Sequence, residues 1–87
     1  MITELHPVIE AILLAADKPL SVDRIAMVFD EHDGVDNKRI KQTLRELQKS
    51  YEGKGYELIQ VASGYRFQVR QDYALWVSRL WQEKPPK

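Results

Sequence analysis

Eighty-seven residues, 44% apolar and 30% charged, have the balance of one small globular domain. Cysteine is absent, which excludes a disulfide scaffold, a thiol nucleophile and a Cys-type zinc site. Thirteen Lys and Arg cancel thirteen Asp and Glu, so the chain lacks the strongly basic footprint of a dedicated polyanion binder, and little net repulsion opposes its association. The zero is a sum of unlike parts. Residues 1–35 hold two bases against seven acids, residues 36–54 six against three, and residues 55–87 five against three, giving −5, +3 and +2. No apolar run nears the roughly 20 residues of a membrane-spanning helix. Met1-Ile2-Thr3-Glu4 lacks the basic start of a signal peptide. A cytoplasmic protein without a membrane partner is expected.

Residues 5–16 read as a first helix, with Pro7 tolerated in the opening turn. Leu5, Ile9, Ile12, Leu13 and Ala16 make one buried stripe, and Val8, Ala11, Leu14 and Ala15 fill the other side. Glu10 is the only charge between 7 and 16. A helix apolar nearly all round needs cover on more than one side, and so short a chain has little to supply; either this is a central core helix or part of it faces a partner. Pro19 breaks it. Ser21 is a suitable N-cap for a short second helix, with Ile25, Val28 and Phe29 on its apolar face. Asp30 to Asp36 is an acidic loop.

Asp36 or Asn37 caps a third helix whose buried stripe is Ile40, Leu44, Leu47 and Tyr51, and Gly53-Lys54-Gly55 ends it. The period then changes from 3.6 to 2. Residues 56–61 and 65–70 read as strands of a hairpin about Ala62-Ser63-Gly64, with Tyr65, Phe67 and Val69 inward and Arg66, Gln68 and Arg70 outward. Asp72 is expected to cap a last helix in which Tyr73, Trp76, Val77 and Leu80 share a face. Lys84-Pro85-Pro86-Lys87 reads as the start of a linker, so the expected division is a domain over 1–83 and a linker over 84–87 leading to a second domain.

Three helices, a two-stranded hairpin and a closing helix are the order of an α+β winged helix-turn-helix domain. Within that order the chain resembles one family. The run from Pro7-Val8-Ile9-Glu10-Ala11 through Lys18-Pro19-Leu20-Ser21 is similar to the opening of segregation and condensation protein B. Tyr51-Glu52-Gly53-Lys54-Gly55-Tyr56-Glu57-Leu58 with Val61-Ala62-Ser63-Gly64-Tyr65-Arg66-Phe67 resembles its hairpin segment, Ser63 standing where the pattern often has Gly. Asp72-Tyr73-Ala74 and Trp76-Val77 resemble its last helix. The resemblance spans nearly the whole chain, in order and spacing.

That resemblance implies a non-enzymatic accessory subunit in chromosome condensation and segregation, nucleoid-associated, built from two tandem winged-helix domains of which this is the first. It implies a homodimer formed mainly through this domain. It also implies binding to the kleisin subunit ScpA and, through it, to the SMC ATPase. The alternative is a winged-helix DNA-binding transcription regulator.

For the self-contact or the kleisin, the candidate residues are Val8, Ala11 and Leu14 of the first helix, with Leu75 and Trp81 off the main face of the last; aromatic anchors bury large areas at low entropic cost. Candidate nucleic-acid contacts are Lys38, Lys41, Arg45 and Lys49 on the third helix, beside Gln48, and Arg66 near the wing. Glu46 and Glu52 interrupt that face, and the acidic first 35 residues oppose a duplex, so direct nucleic-acid contact is expected to be weak or absent. Counted as a Ca²⁺ loop from Asp30, the chain places Lys41 where a bidentate Glu belongs. His6 has no second His or Cys at ligand spacing, no Gly-rich phosphate loop exists, and no Ser/His/Asp pattern is recognisable. No catalytic, metal or cofactor site is expected.

Overall fold

The computed structural model describes residues 3–82; the expected linker at 84–87 lies outside them. Three helices lead the chain: α1 His6–Ala15, α2 Val22–Ala26 and α3 Asn37–Ser50. Strands β1 Tyr56–Val61 and β2 Gly64–Val69 follow, then α4 Ala74–Trp81.

Local chemistry sets most of these boundaries. Pro7 sits in the first turn of α1, and the chain leaves the helix at Ala16, which is extended. Ser21 Oγ accepts the Arg24 N–H at 3.1 Å and starts α2. Asp36, rather than Asn37, caps α3 by accepting the Arg39 N–H at 2.8 Å. The acidic loop contains a 3₁₀ turn, Glu31–Asp33, closed by a reciprocal box: Asp30 accepts from His32 N–H at 3.0 Å, and Asp33 accepts from Asp30 N–H at 2.9 Å. The carboxylates of Asp30 and Asp33 are thus engaged with backbone.

Leu5, Ile9 and Leu13 of the first helical segment meet Ile25 of α2, Ile40, Leu44, Leu47 and Tyr51 of α3, and Leu58 of β1 in one core. The expected stripe of α3 is the buried one, joined by Thr43, whose hydroxyl donates to the Arg39 carbonyl at 2.9 Å. On α1 the stripe is narrower than expected, because Ile12 and Ala16 are only half-buried. Val28 departs further: α2 stops at Ala26, and Val28 is 56% exposed.

β1 and β2 pair antiparallel from Tyr56↔Val69 to Val61↔Gly64 about a turn at Ala62-Ser63. β2 therefore begins at Gly64, one residue before the expected start. A third strand is reduced to one residue, Leu20, which bridges Tyr65 on the far side of β2 with N–H···O bonds of 2.8 and 3.0 Å. Helix, bridge, two helices, hairpin and helix compose the winged-helix order.

Two expectations for the last third need correction. Val69 belongs to the Tyr65/Phe67 face but lies beyond the core's reach and is 48% exposed. Asp72 does not cap the final helix, because a 3₁₀ turn at Gln71–Tyr73 intervenes; α4 starts after Tyr73 without a side-chain cap. No α4 residue is buried. Extents of 58 × 24 × 23 Å and a radius of gyration of 16.1 Å, against roughly 12 Å for a compact chain of this length, describe a body with an arm.

Gly64 is the tightest point. At φ 143° a Cβ there would stand 2.2 Å from the Leu20 carbonyl carbon and 2.5 Å from the Ser21 nitrogen, and those atoms are backbone held by the bridge. Gly64→Ala is therefore expected to cost about 3 kcal/mol, seen as a lower urea midpoint at unchanged m-value. Gly55→Ala, where a Cβ meets nothing within 4 Å, should stay far closer to the parent.

Candidate interaction surfaces

Apart from Met27 and Val28 after α2, the exposed large apolar residues of the described chain gather in two places. The first is a shallow groove of about 410 Å³ between α1 and the sheet, lined by Glu10, Leu14, Tyr56, Phe67, Gln68 and Val69. Leu14 and Tyr56 are 66% and 42% exposed there. The second is α4, where Leu75, Trp76, Leu80 and Trp81 are 56%, 60%, 73% and 79% exposed. Tyr73 leans on Trp76, with ring centroids 6.4 Å apart. These residues are grouped rather than singly scattered, the pattern that marks interaction surfaces.

The five contact candidates divide accordingly. Leu14 lines the groove, and Leu75 and Trp81 lie on α4. Ala11 is exposed on α1, whereas Val8 is half-buried against the chain's own core. Val8 is thus the least available of the set. Tyr73, Trp76 and Leu80, which share a face in the sequence pattern, stand exposed on the arm.

On α3, Lys38, Lys41, Arg45 and Lys49 are all exposed, opposite the buried stripe. Glu46, the acid that interrupts them, is engaged from two sides. Gln42 Nε2 donates to Glu46 Oε2 at 2.8 Å, and His6 Nε2 lies 2.7 Å from Glu46 Oε1. These hydrogen bonds, Gln42 first, hold its carboxyl below the usual carboxylate range. Arg66 does not join the α3 face; it lies beside Leu13, Leu14, Asp17 and Lys18 at the end of α1.

The floor of the groove rests on an arrangement that periodicity did not reveal. Tyr51, buried where α3 ends, donates its hydroxyl to Glu10 of α1. Its ring packs 4.9 Å from Tyr56 and 5.4 Å from Phe67, centroid to centroid. Arg70 closes the same end: Nη2 donates to the Tyr51 carbonyl at 2.8 Å, Nε to the Lys54 carbonyl at 2.9 Å, and Nη1 to Glu57 at 3.3 Å. The one signal available in the sequence was Glu10 itself, a lone acid on an apolar helix.

Burial, and then the Glu10 carboxylate accepting its proton, push the Tyr51 hydroxyl well above the usual phenol range. Its protonated form is favoured in the folded state, so this contribution is complete below about pH 10, the ordinary phenol value, and is lost as pH rises through the folded value. Tyrosinate absorbance during alkaline titration should accordingly show one tyrosine ionising late, together with unfolding. Tyr51→Phe should remove that late step; a titration unchanged by Y51F would refute the assignment.

Comparison with known proteins agrees with this architecture. The model of the family described as "Segregation and condensation complex subunit ScpB" matches residues 7–87. A segregation and condensation protein B homolog of Coxiella burnetii is 44% identical over 98% of this chain and 42% of its own length. Segregation and condensation protein B of Syntrophotalea carbinolica is 35% identical over 97% and 42%. The chain thus spans about two fifths of the length of these curated relatives. Among solved structures, ScpB from Mycobacterium tuberculosis superposes with a TM-score of 0.80 at 26% identity, over 97% of this chain and 54% of that one. A dimer of ScpB N-terminal domain complexed with ScpA peptide gives 0.77 at 24% identity, over 92% and 94%. By the extent of the family match and these identities, the chain belongs to the ScpB family of segregation and condensation complex subunits.

Proposed function

We propose that this chain is the N-terminal winged-helix domain of a non-enzymatic accessory subunit of a prokaryotic SMC–kleisin complex. In that role it dimerises, binds the kleisin ScpA and acts at the nucleoid in the cytoplasm. The domain occupies residues 1–83, and 84–87 begin the linker to a second domain. The observation that carries the reading is the uncovered apolar surface, divided between α4 and the α1–sheet groove. Two separate patches suit a module with two protein contacts, one to its own copy and one to another chain. The related N-terminal domain whose fold it shares is a dimer complexed with an ScpA peptide, and that pair of contacts is the one proposed here.

α4 is assigned to the self-contact. Its exposed Leu75, Leu80 and two tryptophans form an eight-residue helix, and helices that short are marginal in water unless tertiary or quaternary contacts hold them. Leu75→Glu with Trp81→Glu should leave the α1–α3 core folded by circular dichroism while the sedimenting mass falls from dimer to monomer. An unmutated chain that sediments as a monomer at high concentration would overturn the self-contact.

One observation favours the transcription-regulator alternative: Lys38, Lys41, Arg45 and Lys49 stand exposed along the helix that reads DNA in helix-turn-helix proteins. A pull-down with the central segment of the kleisin, run beside a gel-shift series across salt, separates the two. Kleisin capture without DNA, with duplex binding weak or absent at physiological salt, is the expected result. Tight duplex binding and no kleisin capture would reverse it.

A further inference from the structure

The two outer edges of the hairpin are finished differently. Backbone groups in an antiparallel pair alternate between facing the partner strand and facing away. Arg70 N–H donates to the Gly55 carbonyl at 3.0 Å, one step beyond β2, so in the register above Gly64, Arg66 and Gln68 turn their N–H and C=O toward β1. Tyr65, Phe67 and Val69 turn theirs away. The outward groups of Tyr65 are used by the Leu20 bridge. On the opposite side, α3 attends to the outer edge of β1, where Gln48 Nε2 donates to the Leu58 carbonyl at 3.2 Å. At Phe67 and Val69, among the described residues, nothing hydrogen-bonds the outward N–H and C=O groups.

Natural edges are usually blunted by a lysine, a proline or a charge on the inward face. Here Gln68 donates to Glu57 at 3.0 Å, and Arg70 just after β2 reaches Glu57 and the end of α3. Arg66 stands nearer the end of α1, so none of the three is placed at the outward groups of Phe67 and Val69. The open stretch borders the groove of Leu14, Tyr56 and Val69 instead. Unpaired main-chain groups beside exposed apolar side chains are what an added strand recognises, the first supplying affinity and the second choosing its alternate residues. A helix laid in the groove would satisfy its own backbone and leave that of β2 unpaired. A second copy's β2 would arrive flanked by its own α1 and Leu20, whereas a bare peptide brings no such bulk.

Resting on the kleisin-binding reading above, we propose that an extended segment of the kleisin adds as a strand to the free edge of β2. It hydrogen-bonds the N–H and C=O of Phe67 and Val69 and lays alternate apolar side chains against Leu14, Tyr56 and Val69. The test uses a synthetic peptide of the kleisin's central segment. Amide exchange is followed residue by residue in the whole chain with and without peptide, and peptide affinity is measured for Val69→Pro and Val69→Ala. Proline at 69 deletes an outward donor that the hairpin ladder does not use, a position where edge strands tolerate it.

On binding, exchange at Phe67 and Val69 should slow about tenfold or more, on the order of one hydrogen bond to each. Arg66 and Gln68, already paired to β1, should change less. V69P should weaken binding by a similar factor and V69A by much less. Peptide bound with full affinity by V69P, with Phe67 and Val69 of the peptide-bound unmutated chain exchanging at their free rates, would overturn the proposal and leave kleisin binding standing. Slow exchange at both amides without peptide, growing with protein concentration, would overturn it in favour of a second copy at this edge. Failure of the unmutated chain to bind the peptide would overturn the kleisin reading, and this proposal with it. Should V69P not fold, the exchange pattern of the unmutated chain decides.

Discussion

Tyr51 is the residue on which the geometry of this domain depends. It stands where α3 ends, and four elements meet on it. Its hydroxyl reaches Glu10 of α1, its carbonyl accepts from Arg70 after β2, and its ring packs on Tyr56 of β1 and Phe67 of β2. A carboxylate on an apolar helix is costly to bury without a donor; here the phenol supplies one and is itself buried by the aromatic cluster. The wing is therefore held at both ends. Leu20 bridges it beside the turn, and Tyr51 with Arg70 holds the opposite end, which leaves the outer main-chain edge of β2 at Phe67 and Val69 held in place and unpaired.

That rigidity matters for what the domain offers to other chains. A binding edge on a mobile hairpin would lose affinity to the entropy of ordering it, whereas this hairpin is anchored before any partner arrives. Gln68 and, just after β2, Arg70 are drawn across to Glu57 and the end of α3, and Phe67 and Val69 line the groove. The basic side of α3 lies elsewhere, with Glu46 engaged by Gln42 and His6. The exposed bases of α3 thus lie apart from the apolar groove between α1 and the sheet.

Much of this was legible from residue order. The stripe Ile40, Leu44, Leu47 and Tyr51 named the buried face of α3, Ser21 named the start of α2, and alternation after Gly55 named the hairpin. These signals are local, and local geometry decides them. What stayed hidden depends on whether neighbouring chain exists to cover a face. Val28, Val69, Trp76 and Leu80 have the periodicity of buried residues, yet each points where the domain has run out. Asp72 looked like a cap because the pattern places a helix after it, while the backbone uses it inside a 3₁₀ turn. The family resemblance supplied the partner class, which periodicity could not. The free edge of β2 was out of reach altogether, since main-chain direction leaves no trace in composition.

An eight-residue helix with no buried side chain has a further consequence. Its helical hydrogen bonds are only as durable as whatever covers it, so the stability of α4 is not a constant of the sequence. By mass action it rises with the concentration of any chain that binds the arm. The domain then has two melting behaviours in one polypeptide. On that footing the core around Leu5, Ile9, Ile25, Ile40 and Leu44 is expected to melt at one temperature, and the arm at another set by how much partner is present. In a cell, a subunit made in excess would carry that appendage frayed, with two tryptophans in the open, and so differ visibly from an assembled one.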